Sequence, residues 1–233
     1  MNILHLDTAT AVFSIALSAD EQVIGEFCGD AGPATSAKIP GHIQALLQQA
    51  SLEMNDLHAF AVTVGPGAFT GVRVGIALIK GLAYATGKPV IPLSSLELLA
   101  LNAKNSAIPV CALFDARRSE VYSALYLFEN GMQRIRPEMA ITPGRLLDEL
   151  SGPTLFIGDG ALRYRDLIVE RFGSNAHFAE QHLHQPKASA GAALALGFLQ
   201  SGAAVSPEEL MPCYLRLAEA EINRRRLSEE LAI

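Results

Sequence analysis

The chain has 233 residues, 50% of them apolar, with 18 Lys and Arg against 24 Asp and Glu for a formal net charge of −6. That length can bury a core in one large or two small domains. The acidic balance excludes tight independent binding to RNA or DNA, which needs a basic surface, and no apolar run reaches the ~20 residues that span a bilayer.

The start, Met1-Asn-Ile-Leu-His-Leu-Asp7, has no basic stretch ahead of an apolar one, so it reads as a strand and not as a signal peptide. Three strands are predicted over residues 2–6, 13–18 and 22–28, the last two joined as a hairpin at Asp20-Glu21. A helix follows over 36–51, disturbed in its first turns by Pro40-Gly41. Next come a strand over 59–64, a helix over 70–86, a strand over 89–93 and a helix over 95–103 capped by Ser94 or Ser95.

The strand and helix at 59–86 enclose Gly65-Pro-Gly-Ala-Phe-Thr-Gly-Val-Arg-Val-Gly75. Thr70 is placed to cap the helix, and free N–H groups at such an end attract anions. The phosphate-loop pattern nevertheless fails, because Gly71-Val-Arg73 stands where Gly-Lys-Thr is required. The helix carries two apolar stripes, Val72, Ile76, Ile79 and Ala83 on one and Gly71, Gly75, Leu78 and Leu82 on the other, where a surface helix carries one. Two arrangements satisfy this pattern. Either the helix is sandwiched inside its own domain, or one stripe packs on its own sheet and the other on a second protein, with the small residues admitting the partner's backbone.

The order of elements then repeats. A strand over 109–114 leads to a hairpin of 120–128 and 132–141 around Asn130-Gly131, a strong turn dipeptide. Thr142-Pro143 opens a helix to Leu150, and a strand over 154–157 enters Gly158-Asp-Gly160, which mirrors Gly65-Pro-Gly67. A helix to about residue 172, a strand over 176–179 and an Ala-rich helix over 188–200 complete the set. Both parts read βββαβαβα, with Ile3-Leu-His-Leu-Asp7 set against Cys111-Ala-Leu-Phe-Asp115 and Phe13-Ser14 against Tyr122-Ser123, so the fold class is a duplicated α/β domain. The expected division is a first half at 1–105, a second half at 106–204 and a C-terminal segment at 205–233. In that segment Pro207-Glu-Glu-Leu210 starts a short helix, while Arg224, Arg225 and Arg226 with Glu229 and Glu230 make a charged, exposed end.

Two such halves resemble the actin, sugar-kinase and Hsp70 superfamily, with its ribonuclease H-like fold. Four motifs in order narrow the resemblance: Ile3-Leu-His-Leu-Asp-Thr-Ala-Thr10, the stretch Gly65 to Gly75, Asp115-Ala-Arg-Arg-Ser-Glu-Val-Tyr122, and Pro212-Cys-Tyr-Leu-Arg216 followed by Ala218-Glu219. Together they resemble the bacterial TsaB family, also called YeaZ, over nearly the whole chain. The resemblance implies a non-catalytic subunit that binds and activates the TsaD transferase, alongside a TsaE-like ATPase. The product is N6-threonylcarbamoyladenosine (t6A) at position 37 of tRNAs reading ANN codons, made from threonylcarbamoyl-adenylate. It also implies self-association when alone, contact with tRNA through the complex only, a cytoplasmic location, ATP used by the complex with no tightly bound cofactor of the chain's own, and a possible site for nucleotide at the partner junction. The family interface falls on the helices at 36–51 and 70–86, here Ile39, Ile43, Leu46, Leu47, Gly71, Val72, Gly75, Ile76, Leu78, Ile79 and Leu82. A charge at Ile76 or Leu82 is expected to abolish docking and spare the fold.

Chemistry within the chain is thinly supported. The His-x-x-x-His pair that holds metal in TsaD is missing, and the region where it belongs offers only His42. His177, His182 and His184 lack an accompanying ligand set and read as a polar loop. Asp7, Thr8, Thr10, Asp115 and Arg118 mark a vestigial nucleotide cleft, or simply turns in which Asp and Thr satisfy backbone N–H groups. Glu120 is a local partner for Arg117 or Arg118. Ser94-Ser95 lacks a nucleophile elbow, and Cys28, Cys111 and Cys213 read as reduced thiols without an activating base. The alternative function is a free-standing ATP-dependent phosphotransferase of the same fold, tested by ATP turnover. A third reading, RNA binding through Arg224 to Arg226, is tested by salt-sensitive tRNA binding.

Overall fold

A computed structural model describes residues 1–32 and 35–216. The first part runs β1 (Asn2–Asp7), β2 (Val12–Ala19), β3 (Gln22–Asp30), α1 (Thr35–Gln49), β4 (Ala59–Gly65), α2 (Phe69–Thr86), β5 (Val90–Ser94) and α3 (Ser95–Leu101). The second runs β6 (Val110–Arg117), β7 (Glu120–Leu127), β8 (Gln133–Ile141), α4 (Pro143–Glu149), β9 (Thr154–Ile157), α5 (Asp159–Arg163), α6 (Arg165–Phe172), β10 (Ala176–Phe178) and α7 (Ala192–Gln200). The strands form two five-stranded sheets of matching order, β3-β2-β1-β4-β5 and β8-β7-β6-β9-β10. In each, the first strand pairs antiparallel with the second and parallel with the fourth. The duplication is therefore one of topology and strand sense.

The central strands are apolar throughout because both of their faces are covered. Leu4, Leu6, Phe60 and Val62 point toward α1 and α2, while Ile3, Ala59, Ala61 and Ile91 point the other way, toward α7. In the second sheet, Cys111, Leu113 and Phe156 face α4, α5 and α6, and Val110, Ala112, Tyr126 and Ile157 face α3. The last helix of each part thus covers the other part's sheet. Helix α7 belongs to 106–204 by sequence but packs on the first sheet, and α3 belongs to 1–105 but lies between the sheets, with Leu96, Leu99 and Ala100 on the second and Leu98 on the first. A two-faced sheet needs a helix on each side, and the inner faces are closed by this exchange.

Several local expectations change. Helix α2 starts at Phe69 with Ala68 at its N-cap and no side-chain cap bond, so Thr70 lies inside the first turn. Gly87 ends it in the left-handed region, φ 66°. Pro40 sits within α1 without ending it. The helix expected to run to residue 172 is two helices broken at Tyr164, and the one expected from Ala188 begins with a 3-10 turn. Pro207 to Glu209 form only a turn. Residue-level equivalence between the parts is looser than the sequence suggests. Asp7 pairs with Ser14, but Asp115 pairs with Val121, and β6 continues two residues beyond Asp115.

The described part of the C-terminal segment is attached to the first sheet. Val205 bridges Val90 through reciprocal bonds of 2.8 and 2.9 Å, Leu210 is buried in the core beside α2, and the Cys213 N–H donates to Val64 O at 2.7 Å. Ala218, Glu219, Arg224, Arg225, Arg226, Glu229 and Glu230 lie outside the described residues.

Candidate functional site

The four motifs, scattered over more than 200 positions of sequence, meet at one end of the molecule. The loop after β1 lies against the start of α2: Thr8 Oγ1 donates to Gly71 O at 2.8 Å, and the Ala68 N–H donates to Ala9 O at 2.7 Å. A Cβ at Gly67, Gly71 or Gly75 would collide with Ala9 O, Thr8 O or Thr8 Oγ1 respectively. At all three positions the chain presses on itself, which for Gly71 and Gly75 corrects their assignment as openings for a partner's backbone. The C-terminal motif closes the group, because Arg73 Nε–H donates to Tyr214 Oη at 2.7 Å and Arg216 pairs with Glu120 at 2.9 Å. Glu120 therefore reaches across to the C-terminal segment, not to Arg117.

Between the two sheets these residues border a cleft of about 360 Å³, lined by Thr10, Gly67, Phe69, Asp115, Arg117 and Arg216 among others. Asp7 is not in it. That carboxylate is fully buried beneath the loop, where Oδ1 accepts from Thr63 Oγ1 at 2.6 Å and from the Ala9 N–H at 3.3 Å, and burial pushes its pKa up to about 6. Thr8 is turned inward, and Thr10 closes a local turn through Val12. Asp115 does face the cleft, accepting from the Arg117 N–H at 3.0 Å with the Arg117 and Arg163 guanidiniums at 3.5 and 3.6 Å. Its own N–H donates to Asp159 Oδ1, a carboxyl that burial pushes above its ordinary range. Arg118 sits exposed on the turn of residues 117–119, all three with positive φ. Of the five cleft candidates, then, the structure brings together Thr10 and Asp115, leaves Arg118 exposed on the turn beside Arg117, and removes Asp7 and Thr8.

The second candidate surface is the α1–α2 face. Ile39, Ile43, Leu46, Leu47, Val72, Ile76 and Ile79 are buried in the chain's own core. Leu78 and Leu82 remain half-buried and line an outward groove of about 490 Å³ with Pro40, Ile43, Leu47 and Met54. Of the two stripes on α2, the one through Val72 and Ile79 covers the sheet, and Leu78 and Leu82 of the other line the groove.

The remaining polar candidates have structural roles. His184 is buried, with Nδ1 3.0 Å from the Gly158 N and 3.1 Å from Gly158 O, and Nε2 3.0 Å from Ala179 O. His182 stands 3.5 Å from Glu180, and His42 stacks on Phe27 with centroids 3.7 Å apart. Among the described residues no three His, Cys, Asp or Glu side chains gather for a metal, and no helix is long and apolar enough to cross a membrane. Ser94 caps α3 by accepting from the Leu96 and Glu97 N–H groups, and burial pushes the Cys111 thiol up to about 12. Sequence reasoning singled out neither Phe69, Arg73 and Tyr214 nor Arg216 as site residues. The available signal was an aromatic side chain at the start of a mostly apolar helix.

A family model described as tRNA N6-adenosine threonylcarbamoyltransferase (TsaD) matches residues 29–224. The chain is 33% identical to the Bacillus subtilis tRNA threonylcarbamoyladenosine biosynthesis protein TsaB, over 95% of this chain and 96% of that one. It is 34% identical to the Escherichia coli protein of the same name, over 93% and 95%. The solved structure of YeaZ from Pseudomonas aeruginosa superposes with a TM-score of 0.80 at 30% identity, covering 92% of this chain and 99% of that one. A ROK hexokinase from Thermus thermophilus, with a TM-score of 0.51 at 11% identity, shares the fold alone. The near end-to-end match to TsaB proteins, and to YeaZ in three dimensions, makes this chain a member of the TsaB (YeaZ) family.

Proposed function

We propose that the chain acts in t6A biosynthesis as the non-catalytic partner of a TsaD-like transferase, which modifies adenosine 37 of tRNAs reading ANN codons. The observation that carries the docking reading is the groove between α1 and α2, where Leu78 and Leu82 stay half-exposed beside Pro40, Leu47 and Met54. Such an apolar surface gains stability when a partner covers it. The transfer chemistry falls to the partner, because α1 offers His42 alone where a metal-binding pair is needed and that ring is stacked on Phe27. ATP is consumed by the assembly, including a TsaE-like ATPase, and nucleotide binds at the junction with the transferase. The phosphotransferase alternative loses its main support with Asp7, whose carboxyl lies beneath the cleft floor. The same helical face serves self-association in the cytoplasm when the transferase is absent.

The test mixes purified chain with its cognate transferase. A stoichiometric complex and tRNA modification that requires both proteins are expected. Threonylcarbamoyl transfer by the isolated chain would overturn the assignment.

A further inference from the structure

Phe69 and Tyr214 are large aromatic side chains, yet each is 41% exposed. Their rings lie 24° from parallel with centroids 5.3 Å apart. The Arg73 guanidinium sits 3.6 Å from the Phe69 centroid and 5.7 Å from that of Tyr214, within the range of cation–π attraction, and its Nε–H fixes the Tyr214 hydroxyl at 2.7 Å. The backbone beneath is fixed as well. Phe69 opens α2, Arg73 follows one turn later, and Cys213 next to Tyr214 is hydrogen-bonded to the end of β4. This is a preformed stack of two rings and a guanidinium held at the molecular surface, with two-fifths of each aromatic side chain left open.

Phe69 also forms one wall of the cleft whose other wall carries Arg117 and Arg216. Arg117 and Arg163 are 80% and 56% exposed and share Asp115 at 3.5 and 3.6 Å, so these long, wet ion pairs hold them weakly. Arg117 and Arg216 line the cleft, Arg163 reaches the same Asp115, and Arg73 lies against Phe69, so four guanidiniums are placed at this end of the molecule beside Asp115, Asp159 and Glu120. The apolar groove between α1 and α2, by contrast, is lined mainly by uncharged side chains and suits a protein.

We propose that the Phe69–Arg73–Tyr214 platform binds an unpaired stretch of the tRNA, one base stacking on the aromatic surface while the arginines at the cleft rim meet the adjoining phosphates. Stacking on aromatic and guanidinium planes is how proteins hold splayed-out RNA bases, whereas a duplex presents its backbone instead. The inference rests on the tRNA-modification reading and places an RNA contact on this subunit. The acidic remainder of the chain keeps the contact weak until the partner adds its own.

Zero-length ultraviolet crosslinking of a tRNA transcript to the assembled complex, mapped by mass spectrometry, is expected to mark Phe69 or Tyr214. Tyr214→Ala should weaken tRNA binding by the complex roughly tenfold, the scale of one lost base–aromatic stack. Tyr214→Phe should stay within about twofold of the parent, and Arg117→Gln should lower the salt slope by about 0.7. Transferase affinity and thermal stability should not change in any of them. Unaltered tRNA affinity in both Tyr214→Ala and Phe69→Ala would overturn the proposal, as would loss of the transferase in those variants, which would make the platform a protein contact. Should the parent chain form no complex, the docking reading fails separately. Crosslinking to the chain alone then decides: a crosslink at the platform sustains the proposal and its absence ends it.

Discussion

His5 and Asp7 stand two residues apart on one face of β1, sealed from solvent at 1% and 0% exposure. Burial lowers the His5 pKa from 6.5 to about 4 and raises that of Asp7 from 3.8 to about 6, so both are mainly neutral near pH 5. Their contributions to stability have opposite slopes. Folded Asp7 holds its proton more tightly than the unfolded chain does, so its contribution is full below about pH 4 and is lost as pH rises through about 6. Folded His5 resists protonation, so its contribution is full above about pH 6.5 and is lost as pH falls toward 4. Each is worth up to about 3 kcal/mol. Denaturant titrations should therefore show a shallow profile between pH 4 and 6 in the parent. Stability should fall with acid in Asp7→Asn and with alkali in His5→Gln. Three parallel profiles would contradict this.

A charge on α2 should act differently on its two sides. Leu82→Glu is expected to keep stability within about 1 kcal/mol and to weaken transferase binding at least ~100-fold, about 3 kcal/mol, because the carboxylate would be buried unpaired at the interface. Ile79→Glu places the same charge in a site with 0% exposure and should cost more than about 4 kcal/mol of folding stability. Ile76, at 7% exposure, belongs with Ile79, so a charge there reports on folding and not on docking as its sequence suggested. Calorimetric binding combined with urea denaturation separates the two outcomes.

The glycines of α2 should respond with opposite signs. An added methyl at Gly75 meets Thr8 Oγ1 and comes within 3.6 Å of Val62, so Gly75→Ala should cost about 1–3 kcal/mol. Nothing lies within 4 Å of the corresponding position at Gly81, and Gly81→Ala should stabilise the chain by about 0.5–1 kcal/mol through helix propensity. Urea midpoints at constant m-value provide the comparison.

Ser94 caps α3 and touches Glu138 of β8 across the junction between the two parts. Ser94→Ala should cost about 1 kcal/mol. Aspartate is ordinarily as good a cap as serine, but here it would join Glu138 and Glu97, whose carboxyl is already pushed up by burial and by the nearby Glu138 charge. Ser94→Asp should therefore be no more stable than Ser94→Ala at pH 7. Equal stability of Ser94→Asp and the parent in thermal melts would refute the crowding argument.

The order of elements and the two hairpins were legible because central strands must be apolar on both faces and turns need residues such as Asn130-Gly131, features that are local in sequence. The stripe that covers the sheet could not be separated from the outward one by periodicity, since Leu78 and Ile79 are equally apolar. Gly71 and Gly75 were misread because small size suits close packing against any backbone, their own chain's included. Asp7 and Asp115 look equivalent in sequence, but β6 runs two residues past its aspartate and leaves it in the cleft while Asp7 is covered. The bond between Arg73 and Tyr214 spans 141 positions and leaves no local trace.

The exchange of α3 and α7 makes the two halves depend on each other for closure of their inner faces. A polypeptide ending near residue 105 would expose the greasy underside of its sheet around Ile3, Ala59 and Ile91, and its complement would do the same around Val110, Ala112 and Tyr126. Neither fragment is expected to fold as a minidomain, although each carries a helix that the other's sheet needs. Produced together they should reassemble into one particle, and produced apart they should aggregate.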